Sequence, residues 1–146
     1  MVGPKVDKND ASGVRYHALE RMGLTESEWV FEELAIPMSS AHMILVRIAL
    51  AKVEDTDGLA QLLRQIPIRQ GEEGWNCVLW IKEALSHVEQ SKDIVGTSVL
   101  DWTAVRDAAL AYCQQKKDEH RFDGKGNFDT QRVPTYDLIQ RREIIA

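Results

Sequence analysis

The segment Trp75-Asn76-Cys77-Val78-Leu79-Trp80 marks the start of a helix and anchors the apolar pattern of the chain. Asparagine is a favoured helix N-cap, so the first helical turn is predicted to begin at Cys77. Apolar residues then recur at helical spacing: Cys77, Trp80, Ile81, Ala84, Leu85 and Val88. Such a continuous apolar face is typical of a helix that packs on a hydrophobic core.

Two further helices are predicted, one on each side of this one. Thr56 is the expected N-cap of the first, which ends before Pro67 because proline cannot continue a helix. The other is predicted from about Asp101 to Lys117, with lysines near its negative end. Residues 121–146 carry too many apolar side chains for a free tail, so we expect them to wrap the core and to include a short last strand.

The N-terminal half is predicted to form strands. Residues 14–18 alternate between apolar and polar types, and residues 29–36 are rich in aromatic and branched side chains up to Pro37. Residues 43–53 suit a buried strand, although their length also allows a helix. The sequence therefore predicts an α+β domain over residues 1–146, with a small, mostly antiparallel sheet packed by about three helices.

Composition excludes several classes of protein. The 146 residues include 18 Lys+Arg and 23 Asp+Glu, a net charge of −5, which argues against nucleic-acid binding. The hydrophobic share of 44% and charged share of 28% are typical of a globular domain. No apolar run approaches the ~20 residues of a membrane span, and the first residues lack a signal-peptide pattern. We therefore expect a cytoplasmic protein in which Cys77 and Cys113 are free thiols.

Cys77 is the residue best placed for chemistry. A thiol in the first turn of a helix lies near the positive end of the helix dipole, which favours the reactive thiolate. Amide groups after Asn76 could stabilise an oxyanion, and Trp75 could form the wall of a pocket. The alternative is that Cys77 is a small buried apolar residue, which is common for cysteines on an apolar face.

A thiol nucleophile needs a base, which is usually histidine. His87 is too far along the same helix, His120 follows a charged helix end, and His42 is expected to be a capping or surface residue. His17 lies on a predicted strand and is the candidate, either as a catalytic group or as a structural histidine at a sheet edge.

Neither a metal nor a cofactor is expected. Residues 123–127 contain two glycines but lack the alternating acids and closing glutamate of a calcium loop, so they are predicted to form a turn. No spacing of cysteine and histidine matches a zinc site.

Several segments together resemble a family of small uncharacterised fungal proteins over nearly the whole chain. The segments that carry this resemblance are residues 29–33, 45–48, 75–78, 120–124 and 133–138. It implies no activity.

A more distant resemblance is to permuted papain-like cysteine enzymes of the NlpC-like and lecithin:retinol acyltransferase-like group. Met1-Val2-Gly3 is similar to the end of that group's first strand, Tyr16-His17 to its second strand, and Asn76-Cys77 to its helix start. The resemblance implies a permuted papain-like fold in which Cys77 attacks an amide, ester or thioester of a small-molecule or acyl substrate. It also implies that His17 orients and polarises the base.

The histidine base of that group's first strand would precede Met1 and is not in this sequence. Three explanations stay open: a shortened chain or late gene start, loss of catalysis, or His17 acting directly as base. Two functions are therefore predicted. One is a cysteine-dependent hydrolase or acyltransferase. The other is a non-catalytic papain-like interaction module or homo-oligomer, in which a homodimer covers an exposed strand edge.

Overall fold

Helices and short strands share the chain, and this confirms the α+β class. The computed structural model describes residues 2–3, 12–23, 26–38, 44–91 and 93–146. Within these ranges there are three helices and seven strands, and most strand pairs are antiparallel. The strands form three small sheets rather than the single sheet that the sequence predicts.

The longest strands form an N-terminal hairpin. Strand β1 (Ser12–Met22) pairs antiparallel with β2 (Ser27–Pro37) along its full length. Both strands extend beyond the predicted residues 14–18 and 29–36. Val2 adds a single antiparallel bridge to Val14 on the other side of β1.

The third apolar segment, residues 43–53, forms neither one strand nor a helix in its described part. It contains β3 (Arg47–Ala49) and β4 (Ala51–Val53), which belong to different sheets. The change occurs at Leu50, whose carbonyl accepts a hydrogen bond from the Val99 amide at 2.8 Å. The single-strand prediction is wrong because the two halves of the segment find partners in different parts of the chain.

Those partners are two short strands later in the chain, and one of them is also paired with a third strand. Strand β5 (Val95–Ser98) pairs antiparallel with β4, in a segment for which the sequence predicts no strand. Strand β6 (Thr135–Asp137) lies parallel to β3 and antiparallel to β7 (Arg142–Ile145). The C-terminal segment supplies two strands rather than the one predicted, and it packs on α3 and β3.

Each helix begins at a polar cap. Helix α1 (Thr56–Gln65) is capped by Asp55 rather than Thr56, because the Asp55 carboxylate accepts the Gly58 amide at 2.9 Å. Helix α2 (Cys77–Gln90) is capped by Asn76, as predicted. Helix α3 (Trp102–Asp118) is capped by Asp101. No helix in the described ranges has the length and apolar character that crossing a membrane requires.

The core lies between the hairpin and α2. Trp80 is only 2% exposed, and its ring centroid lies 5.8 Å from that of Phe31 on β2. Trp75, just before α2, contacts Trp29 edge-on with centroids 5.3 Å apart. Ile81 was predicted to lie on the buried face of α2, but it is 42% exposed.

A buried lysine joins the C-terminal strand to α3. Lys116 is 1% exposed, and its Nζ atom lies 2.6 Å from Glu119 Oε2 and 2.5 Å from Glu143 Oε1. Burial opposes the charge, but hydrogen bonds to both carboxylates outweigh it and raise the pKa of Lys116. The Tyr112 hydroxyl, which has a single hydrogen, lies 2.5 Å from Glu143 Oε1 and 3.1 Å from the Ile145 carbonyl oxygen, so it donates its hydrogen to β7 and joins that strand to α3. The sequence analysis placed Lys116 only near the helix dipole, so this ion cluster is a finding of the structure.

Replacing Lys116 by methionine should lower the free energy of unfolding by about 1–3 kcal/mol, because two partly exposed carboxylates lose their hydrogen bonds to a common cation. The exposed Lys117→Met variant is the control and should change it by less than about 0.5 kcal/mol. Urea denaturation at pH 7 measures both.

The same interaction predicts a pH dependence. The hydrogen bond from Lys116 holds the pKa of Glu119 below its ordinary value. The ionised Glu119 carboxyl therefore stabilises the folded protein fully when the pH is above the pKa that Glu119 has in the unfolded chain. This stabilisation is lost as the pH falls through the lower pKa that Glu119 has in the folded protein. The stability gap between wild type and Lys116→Met should narrow on acidification below about pH 5. A gap that widens in acid would contradict this assignment.

Candidate functional site

Cys77 is the first residue of α2, where the sequence predicts it. Its side chain is half-buried and packs against the hydrophobic core. The Asn76 side chain accepts hydrogen bonds from the Val78 amide at 2.9 Å and the Leu79 amide at 3.3 Å. Two of the amides proposed for an oxyanion site are therefore engaged by the helix cap.

His17 lies on β1 directly opposite Glu32 of β2. Its Nε2 atom is 2.7 Å from Glu32 Oε2, and the Arg15 guanidinium lies 3.2 Å from the same oxygen. The hydrogen bonds with His17 and then Arg15 lower the pKa of the Glu32 carboxyl. This geometry matches the structural interpretation of His17, in which the ring is held by a neighbouring carboxylate.

The hairpin separates Cys77 from His17. Side chains alternate between the two faces of a strand. Tyr16 and Ala18 belong to the core against which Cys77 packs, so His17 between them projects from the opposite face. The structure therefore does not bring the predicted nucleophile and its histidine together.

The two other histidines within the described residues are both exposed. His87 is exposed on α2, and His120 is exposed with its Nδ1 atom 2.7 Å from Asp123 Oδ2. His42 lies outside the described residues. Residues 123–127 form the predicted turn, with the Lys125 amide bound to the Asp123 carboxylate at 3.0 Å and Gly124 at φ +75°.

Two surface depressions lie away from the thiol. One, of about 600 Å³, is at the tip of the hairpin beside residues 70–72. The other, of about 450 Å³, follows α2 and includes Trp75. Neither is lined by Cys77 or His17, so Trp75 walls a depression that does not contain the thiol. Among the described residues, no group of three or more His, Cys, Asp or Glu side chains could hold a metal ion.

The outer edge of β1 is the most distinctive polar feature. Val14 exchanges two backbone hydrogen bonds with Val2, at 2.9 and 2.8 Å, so its amide and carbonyl point away from β2. By the alternation of an antiparallel ladder, the backbone groups of Tyr16, Ala18, Glu20 and Met22 point the same way. No backbone partner for these four residues occurs within the ranges the structure describes. Within the described ranges, the edge beyond Val14 is therefore unpaired at the backbone.

The outer edge of β2 differs, because a side chain occupies it. The Gln70 side chain donates to the Trp29 carbonyl at 2.5 Å and accepts from the Trp29 amide at 3.0 Å. Sequence reasoning missed this residue, since a glutamine in a polar loop carries no pattern that points to a strand edge.

The chain was compared with known protein families, curated proteins and solved structures. A model described as "Family of unknown function (DUF6914)" matches residues 1–145. Curated proteins and solved structures give no match.

If the hairpin separates the two side chains, removing the imidazole should not affect the thiol. In a Cys113→Ser background, we expect His17→Ala to leave the rate of Cys77 alkylation by iodoacetamide unchanged between pH 6 and 9, which spans the usual titration of thiols. Mass spectrometry of the labelled peptide measures the rate, and Cys77→Ser shows the unlabelled baseline. Slower alkylation at neutral pH on loss of His17 would show that the two groups interact.

Proposed function

The chain belongs to DUF6914, and since that family's description names no activity, we propose from the geometry that the protein is a non-catalytic interaction module that forms a homodimer through the outer edge of β1. The observation that carries this proposal is the row of outward backbone groups at Tyr16, Ala18, Glu20 and Met22. An exposed edge of this kind is a template for pairing with another strand.

Val2 supports the idea that this edge accepts a strand. Its two hydrogen bonds with Val14 are in antiparallel register, the geometry that an added strand would continue. The bridge involves a single residue pair, and the edge beyond Val14 has no backbone partner within the described residues.

A second copy of β1 fits the edge by symmetry. Two identical antiparallel strands are related by a two-fold axis, so each supplies the same surface to the other. With the axis at Leu19, Ala18 lies opposite Glu20 of the second copy, and Tyr16 lies opposite Met22. All four outward residues of each copy are then paired, which makes about eight backbone hydrogen bonds.

Apolar side-chain contacts favour this register. It places Leu19 opposite its own counterpart, and it covers Met22, which is 83% exposed, with Tyr16. Arg21 faces His17 of the second copy, and each of these side chains already contacts a carboxylate of its own hairpin.

Neighbouring registers oppose like charges. An axis at Ala18 sets Arg15 against Arg21, and an axis at Glu20 sets two copies of Glu20 against each other. Like charges directly opposite each other destabilise a strand pair, so the Leu19 register is preferred.

We place the cysteine-dependent hydrolase or acyltransferase second. The position of Cys77 at the start of α2 favours it. It lacks a base near the thiol within the described residues, because His17 lies on the other face of the hairpin and is held by Glu32.

A proline at position 20 should abolish the dimer. The Glu20 amide points outward, so Glu20→Pro removes a donor from the edge without removing a β1–β2 hydrogen bond. We expect the wild-type protein to have twice the 16.6 kDa mass of one chain and the variant to be monomeric, as measured by light scattering coupled to size exclusion.

Ala35→Pro is the matched control, because the Ala35 amide points outward from β2 and lies on the other edge. It should stay dimeric. A second pair of variants tests the dimer without proline, in case the proline variants fail to fold. Leu19→Asp puts two carboxylates at the two-fold axis and should dissociate the dimer. Leu34→Asp, on the same face of the hairpin but on β2, should not. A wild-type protein that is monomeric at all concentrations would exclude the proposal.

A further inference from the structure

We infer that Gln70 closes the second edge of the hairpin and so limits self-association to two copies. This inference rests on the proposed function in one respect: it takes the β1 edge to be the one that associates. It adds a specificity-determining residue on the opposite edge, and that residue can be tested by itself.

The Gln70 side chain makes both bonds that a strand residue would make. Its amide nitrogen donates to the Trp29 carbonyl, and its oxygen accepts from the Trp29 amide, at 2.5 and 3.0 Å. A strand added to β2 would need these same two groups of Trp29 for its first pair. The Gln70 side chain must therefore move away from Trp29 before an added strand can pair with the whole edge of β2.

The rest of the β2 edge resembles the β1 edge, because its outward backbone groups have no backbone partner within the described residues. By the same alternation, the backbone groups of Phe31, Glu33 and Ala35 point outward with those of Trp29. They have no backbone partner among the residues that the structure describes. Pro37 has no amide hydrogen to offer at the end of the strand.

Charged side chains near Gln70 also protect the outer edge of β2. Arg64 of α1 makes two 2.8 Å contacts with Glu33, which holds a guanidinium beside the edge. Residue 69, next to Gln70, is anchored in the same way: Arg69 contacts Glu83 of α2 at 2.6 and 3.0 Å. The loop that carries Gln70 is thereby fixed to α2, so the amide is positioned before any partner arrives.

Two open edges would change the form of the assembly. If β2 of one copy could pair with β1 of the next, the contact would be head-to-tail and would build rings or filaments. With β2 guarded, only the two-fold β1 contact is left, and the assembly closes at two. Natural sheets commonly protect edges with side chains for this reason.

The test is Gln70→Ala, examined by sedimentation velocity over a range of protein concentrations. We expect the weight-average mass to rise about twofold or more above that of wild type at high concentration, because both edges can now pair. Gln70→Glu is a second variant that keeps the acceptor for the Trp29 amide and loses the donor to the Trp29 carbonyl, and it should act in the same direction. Gln61→Ala, an exposed glutamine on α1, is the matched control and should behave as wild type.

A double variant identifies the edge involved. Adding Ala35→Pro to Gln70→Ala blocks the outer edge of β2, so it should return the protein to the mass of wild type. Failure of the double variant to do so would show that the new contact lies elsewhere, and it would overturn the inference.

The outcomes separate this inference from the proposed function. A dimeric wild type with Gln70 variants that also stay dimeric, or become monomeric, overturns the role of Gln70 and leaves the β1 dimer standing. A monomeric wild type whose Gln70 variants self-associate, with reversal by Ala35→Pro, supports the guard and overturns the β1 dimer. Monomers throughout overturn both.

Discussion

The packing of the hairpin on α2 is the contact on which the rest of the structure depends. Phe31 on Trp80 and Trp29 on Trp75 fix one face of β1 and β2 against the core. Since side chains alternate along a strand, this contact also decides which residues project from the other face. It further sets the plane of the hairpin, and hence the direction in which its unpaired backbone groups point.

This packing explains why Cys77 and His17 do not form a catalytic pair. Cys77 has the helix-start position that favours a reactive thiol, but the same helix packs on the Tyr16 and Ala18 face. The alternation of residues 14–18 already assigns His17 to the polar face, so the separation could have been predicted from the sequence. Sequence motifs identify side chains that could be catalytic. Whether two such side chains can contact each other depends on which face of the strand each of them occupies.

Features set by neighbouring residues were predictable from the sequence. The cap of α2 at Asn76 and the extended segment ending at Pro37 depend on local backbone chemistry, and both predictions are confirmed. The break at Leu50 was not predictable, because it depends on strands much later in the chain. The same reason hides the burial of Lys116, whose partner Glu143 lies on the last strand.

The parallel pairing of β3 with β6 has a consequence for biosynthesis. The β1–β2 hairpin can form early, because its contacts are local in sequence. Strand β3 gains its parallel neighbour only after all three helices have been made, and β6 is itself paired with β7. Until the chain through Ile145 has left the ribosome, the Arg47–Ala49 segment lacks this partner and exposes strand-forming backbone. During synthesis, the hairpin can therefore be complete while the sheet of β3, β6 and β7 is still unfinished.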